Sequence, residues 1–130
     1  MSNQGIGGQI AGEEPRLFQI YAAGNFIEAS AETPYFQIGE SKYGKPIIDR
    51  VIHAQRSLKE AAKCALISMD STLRSNLSVG LPLDLLLYER DALVVGQHVC
   101  IETDDPYFNL IHNQWGESLR QAFAELPDLP

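Results

Sequence analysis

The chain has 130 residues, 45% of them hydrophobic, and a formal charge of −7. That size and composition describe one globular domain or part of one, and exclude a disordered chain. No apolar run is long enough to cross a bilayer, and the acidic balance excludes a general nucleic-acid surface, which needs clustered Lys and Arg. Met1-Ser2-Asn3-Gln4 opens no basic, then apolar, secretory leader. Cys64 and Cys100 sit inside apolar patterns and are expected as buried thiols of a reduced, cytoplasmic protein.

The first forty residues predict a meander. Gly7–Ala11 reads as a short strand and Gly12-Glu13-Glu14-Pro15 as a turn. Arg16–Ala22 alternates, with Phe18, Ile20 and Ala22 on one face. Ala23-Gly24-Asn25 turns the chain, Phe26–Ser30 returns, and Pro34–Ile38 is a further extended piece. The polar loop Gly39–Gly44 leads to Lys45-Pro46, with proline suited to a first helical turn, and Ile47, Ile48, Val51 and Ile52 fall on one helical face.

Ser57-Leu58-Lys59-Glu60 is a capping box. Behind it Leu58, Ala62, Ala65, Leu66, Met69 and Leu73 keep helical spacing to about Ser75, with Asn76 as a left-handed stop. Leu83–Tyr88 predicts a strand, Glu89-Arg90-Asp91 a turn, and Ala92–Val95 the returning strand, extended by His98–Glu102. Asp104-Asp105-Pro106 starts a last helix, whose stripe of Phe108, Ile111, Trp115, Leu119, Ala122 and Leu126 is expected as core. This order predicts an α+β fold, without the alternation of a doubly wound sheet.

Enzyme signatures are few. Gly5-Ile6-Gly7-Gly8 opens no helix after a strand, and no Walker lysine follows a glycine-rich loop. His53, His98 and His112 are scattered, and His98 with Cys100 is a two-ligand fragment, so no metal and no cofactor is expected. A Cys/His hydrolase would need a reactive Cys64 or Cys100, which burial disfavours. Two polar loops remain, Gly39–Gly44 and Ser75–Gly80, the second within the hydroxyl-rich run Asp70–Pro82. Turn chemistry alone accounts for either loop taken singly.

The wording of the two loops together resembles a known family. Gly7-Gly8-Gln9-Ile10, Pro15-Arg16-Leu17-Phe18, Ile38–Arg50, Asp70-Ser71-Thr72 and Ser75-Asn76-Leu77-Ser78-Val79-Gly80 look like the bacterial proteasome-type proteases. These are the ancestral beta subunits among the N-terminal-nucleophile hydrolases. The resemblance runs from about Gly7 to the C-terminus and covers the later half of such a subunit. It implies part of a four-layer αββα sandwich, with residues 1–130 forming a single partial domain. It also implies a threonine-type peptidase acting in intracellular proteolysis, assembled as a homo-oligomer, the intact subunit taking peptide or unfolded protein as substrate. Neither nucleic acid nor membrane is expected as a partner.

In that family an N-terminal threonine attacks the substrate carbonyl while its own amine acts as base. The threonine and its early Asp and Lys have no counterpart here, so this chain is expected to carry no catalytic residue and to be inactive alone. It reads as a truncated or split form of the subunit. What the resemblance leaves to these residues is support of the active site. Ser78 and Gly80 match the end of the family's Asp-x-x-Ser-Gly pattern, and Ser41 is the partner hydroxyl from the first loop. Ser75 stands where the family has the aspartate, Asp70 lies at least one helical turn earlier, and Val79 replaces a second glycine. The alternative reading is a free-standing, non-catalytic α+β module for assembly or binding.

Overall fold

The computed structural model describes residues 3–39 and 43–130. Strands β1 (Gln4–Gly8), β2 (Arg16–Ile20) and β3 (Phe26–Glu28) are followed by helices α1 (Lys45–Val51) and α2 (Leu58–Ser75). Strands β4 (Leu83–Leu87) and β5 (Gln97–Ile101) and helix α3 (Pro106–Glu125) complete the order. The α+β expectation is met: β1-β2-β3 form one antiparallel sheet and β4-β5 another.

The meander turns where glycine allows it. Gly12 (φ 83°) and Gly24 (φ 95°) occupy the left-handed region that side chains with a Cβ avoid. Across β2 and β3, Phe18 and Phe26 meet edge to face at 5.8 Å, and the Arg16 guanidinium grips both Glu28 oxygens at 2.8 and 2.9 Å. No residue of this sheet is fully buried. β1 begins and ends about three residues before the predicted piece, and Pro34–Ile38 forms no strand.

Ser57 and Glu60 exchange the two hydrogen bonds of the predicted capping box, each at 3.1 Å, and α2 runs to Ser75 as expected. Its burial does not follow one apolar stripe. Cys64, Leu66, Ser68, Asp70 and Thr72 are all buried, at a spacing of two residues. In a helix that spacing places side chains on opposite sides, so α2 is covered on both. One side carries Cys64, Ser68 and Thr72 and packs toward α1. There a Cβ added to Gly44 would lie 2.0 Å from Ser68 Oγ, so the backbone leading into α1 sits directly on α2. The other side presents Leu66 to Ile101, Phe108 and Ile111, the main core cluster, with Leu73, Leu85 and Val99 packed around it.

Three expectations need correction. The returning strand is Gln97–Ile101, starting at the pair Leu87↔Gln97, and not Ala92–Val95. The backbone in and just before that segment is held by side chains instead: the Leu93 N–H donates to the Tyr88 hydroxyl at 3.0 Å and the preceding Asp91 N–H to Gln9 Oε1 at 2.8 Å. Asp91 and Leu93 also take positive φ, 66° and 58°, which breaks the strand geometry. Asn76 is extended (φ −136°, ψ 112°) and not left-handed, because its side chain is engaged in the following turn. Finally, the α3 stripe is core only at its start. Phe108 and Ile111 are buried, Trp115 is half-buried, and Leu119, Ala122 and Leu126 are exposed.

Candidate functional site

The C-terminal end of α2 forms the loop singled out in the sequence. Asn76 caps the helix with its N–H on the Thr72 carbonyl, and its side-chain Oδ1 then accepts the Ser78 N–H at 2.9 Å and the Ser78 hydroxyl at 2.6 Å. The short polar residues thus order one another in an Asx turn. Ser78 and Gly80 are exposed, and Leu77 projects fully into solvent. A Cβ on Gly80 would meet no atom within 4 Å, so the space around this glycine is open to an approaching group. Ser75 is the last residue of α2 and is exposed beside the same turn.

Asp70 is placed apart from these three. Its carboxylate is buried and lies 2.7 Å from His112 Nδ1 of α3. It joins two helices and does not point into the loop. His112 was missed as its partner because the two residues are forty-two positions apart and neither lies in a recognisable spacing. The other predicted loop starts at Gly39, which takes a positive φ of 85°, and ends at Gly44 against Ser68. Ser41 lies outside the described residues. Ser68 and Ser75 are seven positions apart on α2, so Gly44, packed on Ser68, and the turn that leaves α2 after Ser75 meet that helix about 10 Å apart along its axis.

The remaining chemistry is modest. Burial pushes the Cys64 thiol up, as expected for an inert core cysteine. Cys100 was expected to be buried and is exposed, because it points to the side of the β4–β5 hairpin away from the helices. Its thiol is also pushed up, first by its hydrogen bond to Glu102, 3.4 Å away, then by desolvation and that carboxylate's charge. His98 and Asp84 pair at 3.1 Å on the same side. Among the described residues no group of three or more His, Cys, Asp or Glu side chains could hold a metal ion.

No protein-family model and no curated protein matches the sequence. Solved structures do. Over 98% of its length the chain superposes on Anbu, the ancestral beta-subunit, from Yersinia bercovieri, with a TM-score of 0.95 and 61% identity. Anbu from Hyphomicrobium sp. strain MC1 gives 0.96 and 58%, again over 98% of this chain. A helical assembly of the Anbu complex from Pseudomonas aeruginosa gives 0.95 and 51% over the same share. The fold is that of a proteasome-like subunit. Within that class its structural neighbours are Anbu subunits, of whose length the chain spans about half: 55%, 55% and 53%.

Proposed function

We propose that this chain forms part of a proteasome-like threonine-type peptidase subunit acting in intracellular proteolysis. It supplies core, assembly contacts and active-site support, and not the nucleophile. The observation that carries this reading is the match itself, which takes in 98% of this chain and about half of each solved Anbu subunit at 51–61% identity. On this reading residues 1–130 make a single partial domain of the αββα sandwich, and the intact subunit takes peptide or unfolded protein in the cytoplasm. Ser78 and Gly80, with Ser75 and Ser41, are the residues that support the threonine supplied by the rest of the subunit, while Asp70 supports the site indirectly by fixing α2 to α3.

Exposed apolar surface supports the same reading. A groove of about 980 Å³ opens between the meander and the hairpin, lined in part by Leu17, Leu86, Tyr88 and Val95. Leu86, Val94 and Val95 are each more than half exposed. Contiguous apolar surface of this kind marks an interface, and the remaining layers of the sandwich are its natural cover. Homo-oligomerisation follows from the same kinship, since the Pseudomonas aeruginosa relative is described as a helical assembly.

Turnover of a fluorogenic peptide tests the proposal. The chain alone is expected to be inactive, and to gain activity blocked by a threonine-directed inhibitor when the remaining segment of an Anbu subunit is supplied in trans. Ser78→Ala is then expected to lower kcat by about a hundredfold, the lower end of the range for losing one positioned hydrogen bond at a reacting centre. Turnover by the chain alone, sensitive to that inhibitor, overturns the reading. A soluble, cooperatively unfolding species of defined size that binds no such segment would instead favour the free-standing module.

A further inference from the structure

Two hydrogen bonds at the end of α2 fix what Ser78 can offer to an approaching group. The Ser78 N–H lies 2.9 Å from one side-chain atom of Asn76, and the Ser78 hydroxyl lies 2.6 Å from the same atom. A backbone N–H can only donate, so that atom is the amide oxygen and not the amide nitrogen. The hydroxyl must then donate to it as well. A serine hydroxyl has a single hydrogen. With that hydrogen engaged by Asn76, Ser78 Oγ has only lone pairs left to present, and the residue is exposed.

Asn76 is itself held by a line of short polar residues along one side of α2. Ser68, Thr72 and Asn76 follow one another at one helical turn and so stand in a row. The Asn76 N–H donates to the Thr72 carbonyl at 2.9 Å, and the Thr72 hydroxyl donates to the Ser68 carbonyl at 3.0 Å. Thr72 and Ser68 are each 3% exposed, so this line is fixed inside the protein. Back-bonding by a threonine bends a helix slightly, and Thr72 thereby sets the direction in which the last turn carries Asn76. Beyond Asn76 the Val79 N–H donates to the Asn76 carbonyl at 3.3 Å. The turn is therefore closed by its backbone, and the Asn76 side chain is left to orient Ser78.

We infer that Asn76 is a positioning residue of the proposed active site: it turns Ser78 Oγ into a hydrogen-bond acceptor aimed at a donor from outside this chain, and Thr72 fixes Asn76 from behind. The role rests on the peptidase reading, in which the donor at hand is the amine of the N-terminal threonine, the general base of the reaction. It adds to that reading the side chain that decides where the Ser78 proton points. An Asp at this position would keep the accepting oxygen, and an Ala would leave the hydroxyl free to rotate.

Amide hydrogen exchange in the chain alone tests the hydrogen bonds. Exchange at Ser78 is expected to rise about tenfold in Asn76→Ala and about threefold in Thr72→Val, the scale of losing one such bond. Asn76→Asp and Thr72→Ser keep the oxygen and the hydroxyl and are expected to restore it. Peptide turnover tests the role, in the chain supplemented with the remaining segment of an Anbu subunit. Asn76→Ala is expected to lower kcat about tenfold with KM unchanged, less than Ser78→Ala because the hydroxyl remains and only its aim is lost. Asn76→Asp is expected to recover kcat. Because Asn76 acts through Ser78, adding Asn76→Ala to Ser78→Ala is expected to cost nothing further. Unchanged exchange at Ser78, full kcat in Asn76→Ala, no recovery with Asp, or additive losses each overturn the inference and leave the peptidase reading standing. A supplemented wild-type chain without turnover overturns that reading and the positioning role with it, even where exchange at Ser78 responds.

Discussion

The two sheets of this molecule are held in place by different physics. The β4–β5 hairpin lies on α2 and α3 through Leu83, Leu85, Val99 and Ile101, so burial of apolar surface secures it. The β1–β2–β3 meander has no fully buried residue and is tied to the rest largely through one side chain. The Gln9 amide donates to the Glu13 carbonyl and to Asp91 Oδ1, both at 2.7 Å, and accepts from the Tyr88 hydroxyl at 2.7 Å and the Asp91 N–H at 2.8 Å. Those are two donors and two acceptors, the full capacity of a primary amide. Arg90 and Glu14 add an exposed ion pair across the same junction. A sheet held by burial resists any single change on its surface. A sheet held by one amide does not.

Two aromatic substitutions measure the contrast most strongly. Phe108→Ala removes a ring from the main core cluster and is expected to cost about 3–5 kcal/mol, the range for buried phenylalanines. Phe26→Ala removes an edge-to-face partner that is 63% exposed and is expected to cost about 0.5–1.5 kcal/mol, the worth of an aromatic pair. Denaturant melts of the two variants check this, and equal losses would mean that the meander is as well packed as the helical unit. Gln9→Ala asks whether the amide is the joint. It is expected to raise hydrogen exchange about tenfold or more at Asp91, Leu93 and the β1–β2 amides, since each lost bond is worth roughly 0.5–1.5 kcal/mol. Protection in α2 and β5 is expected to stay unchanged, and a uniform rise over the whole chain would refute the idea of a local joint.

The same contrast governs how much was legible beforehand. Helices with strong end signals were readable: Ser57 and Glu60 begin α2, and Asp105 with Pro106 begins α3. The two faces of α2 were not, because periodicity finds leucines and overlooks a helix side buried through Cys64, Ser68 and Thr72. Small polar residues there admit the Gly44 backbone, a contact that no hydrophobic pattern encodes. The segment Ala92–Val95 looked like a strand because its residues favour one, and a local bond from the Leu93 N–H to Tyr88, next to the long-range bond from the Asp91 N–H to Gln9, overruled that preference. Of the candidate site, Ser75, Ser78 and Gly80 do share one turn, which adjacency in sequence already implied. The Asp70–His112 pair depended on how α2 and α3 cross, and single-sequence spacing carries no such information.

Acid gives the smallest and most local probe of the difference. The Arg16 guanidinium, hydrogen-bonded to Glu28, holds that carboxyl below its usual 4.5 in the meander. In the helical unit the Ser57 N–H does the same for Glu60, assisted by Arg56. A carboxyl whose folded pKa is depressed contributes stability that is complete above its ordinary value and is lost as pH falls through the folded one. Both contributions therefore fade below about pH 4.5, and both are small because the groups are reached and screened by solvent. They differ in what remains. Protonating Glu60 loosens the first turn of a helix that burial still holds, whereas protonating Glu28 removes one of the few cross-strand ties of a sheet without a core. Carboxyl NMR titration is expected to show both midpoints below 4.5, with β2–β3 amides broadening before those of α2. Arg16→Gln is expected to return only the Glu28 midpoint toward its ordinary value, and an unmoved midpoint would show that the ion pair does not tie β2 to β3 in solution.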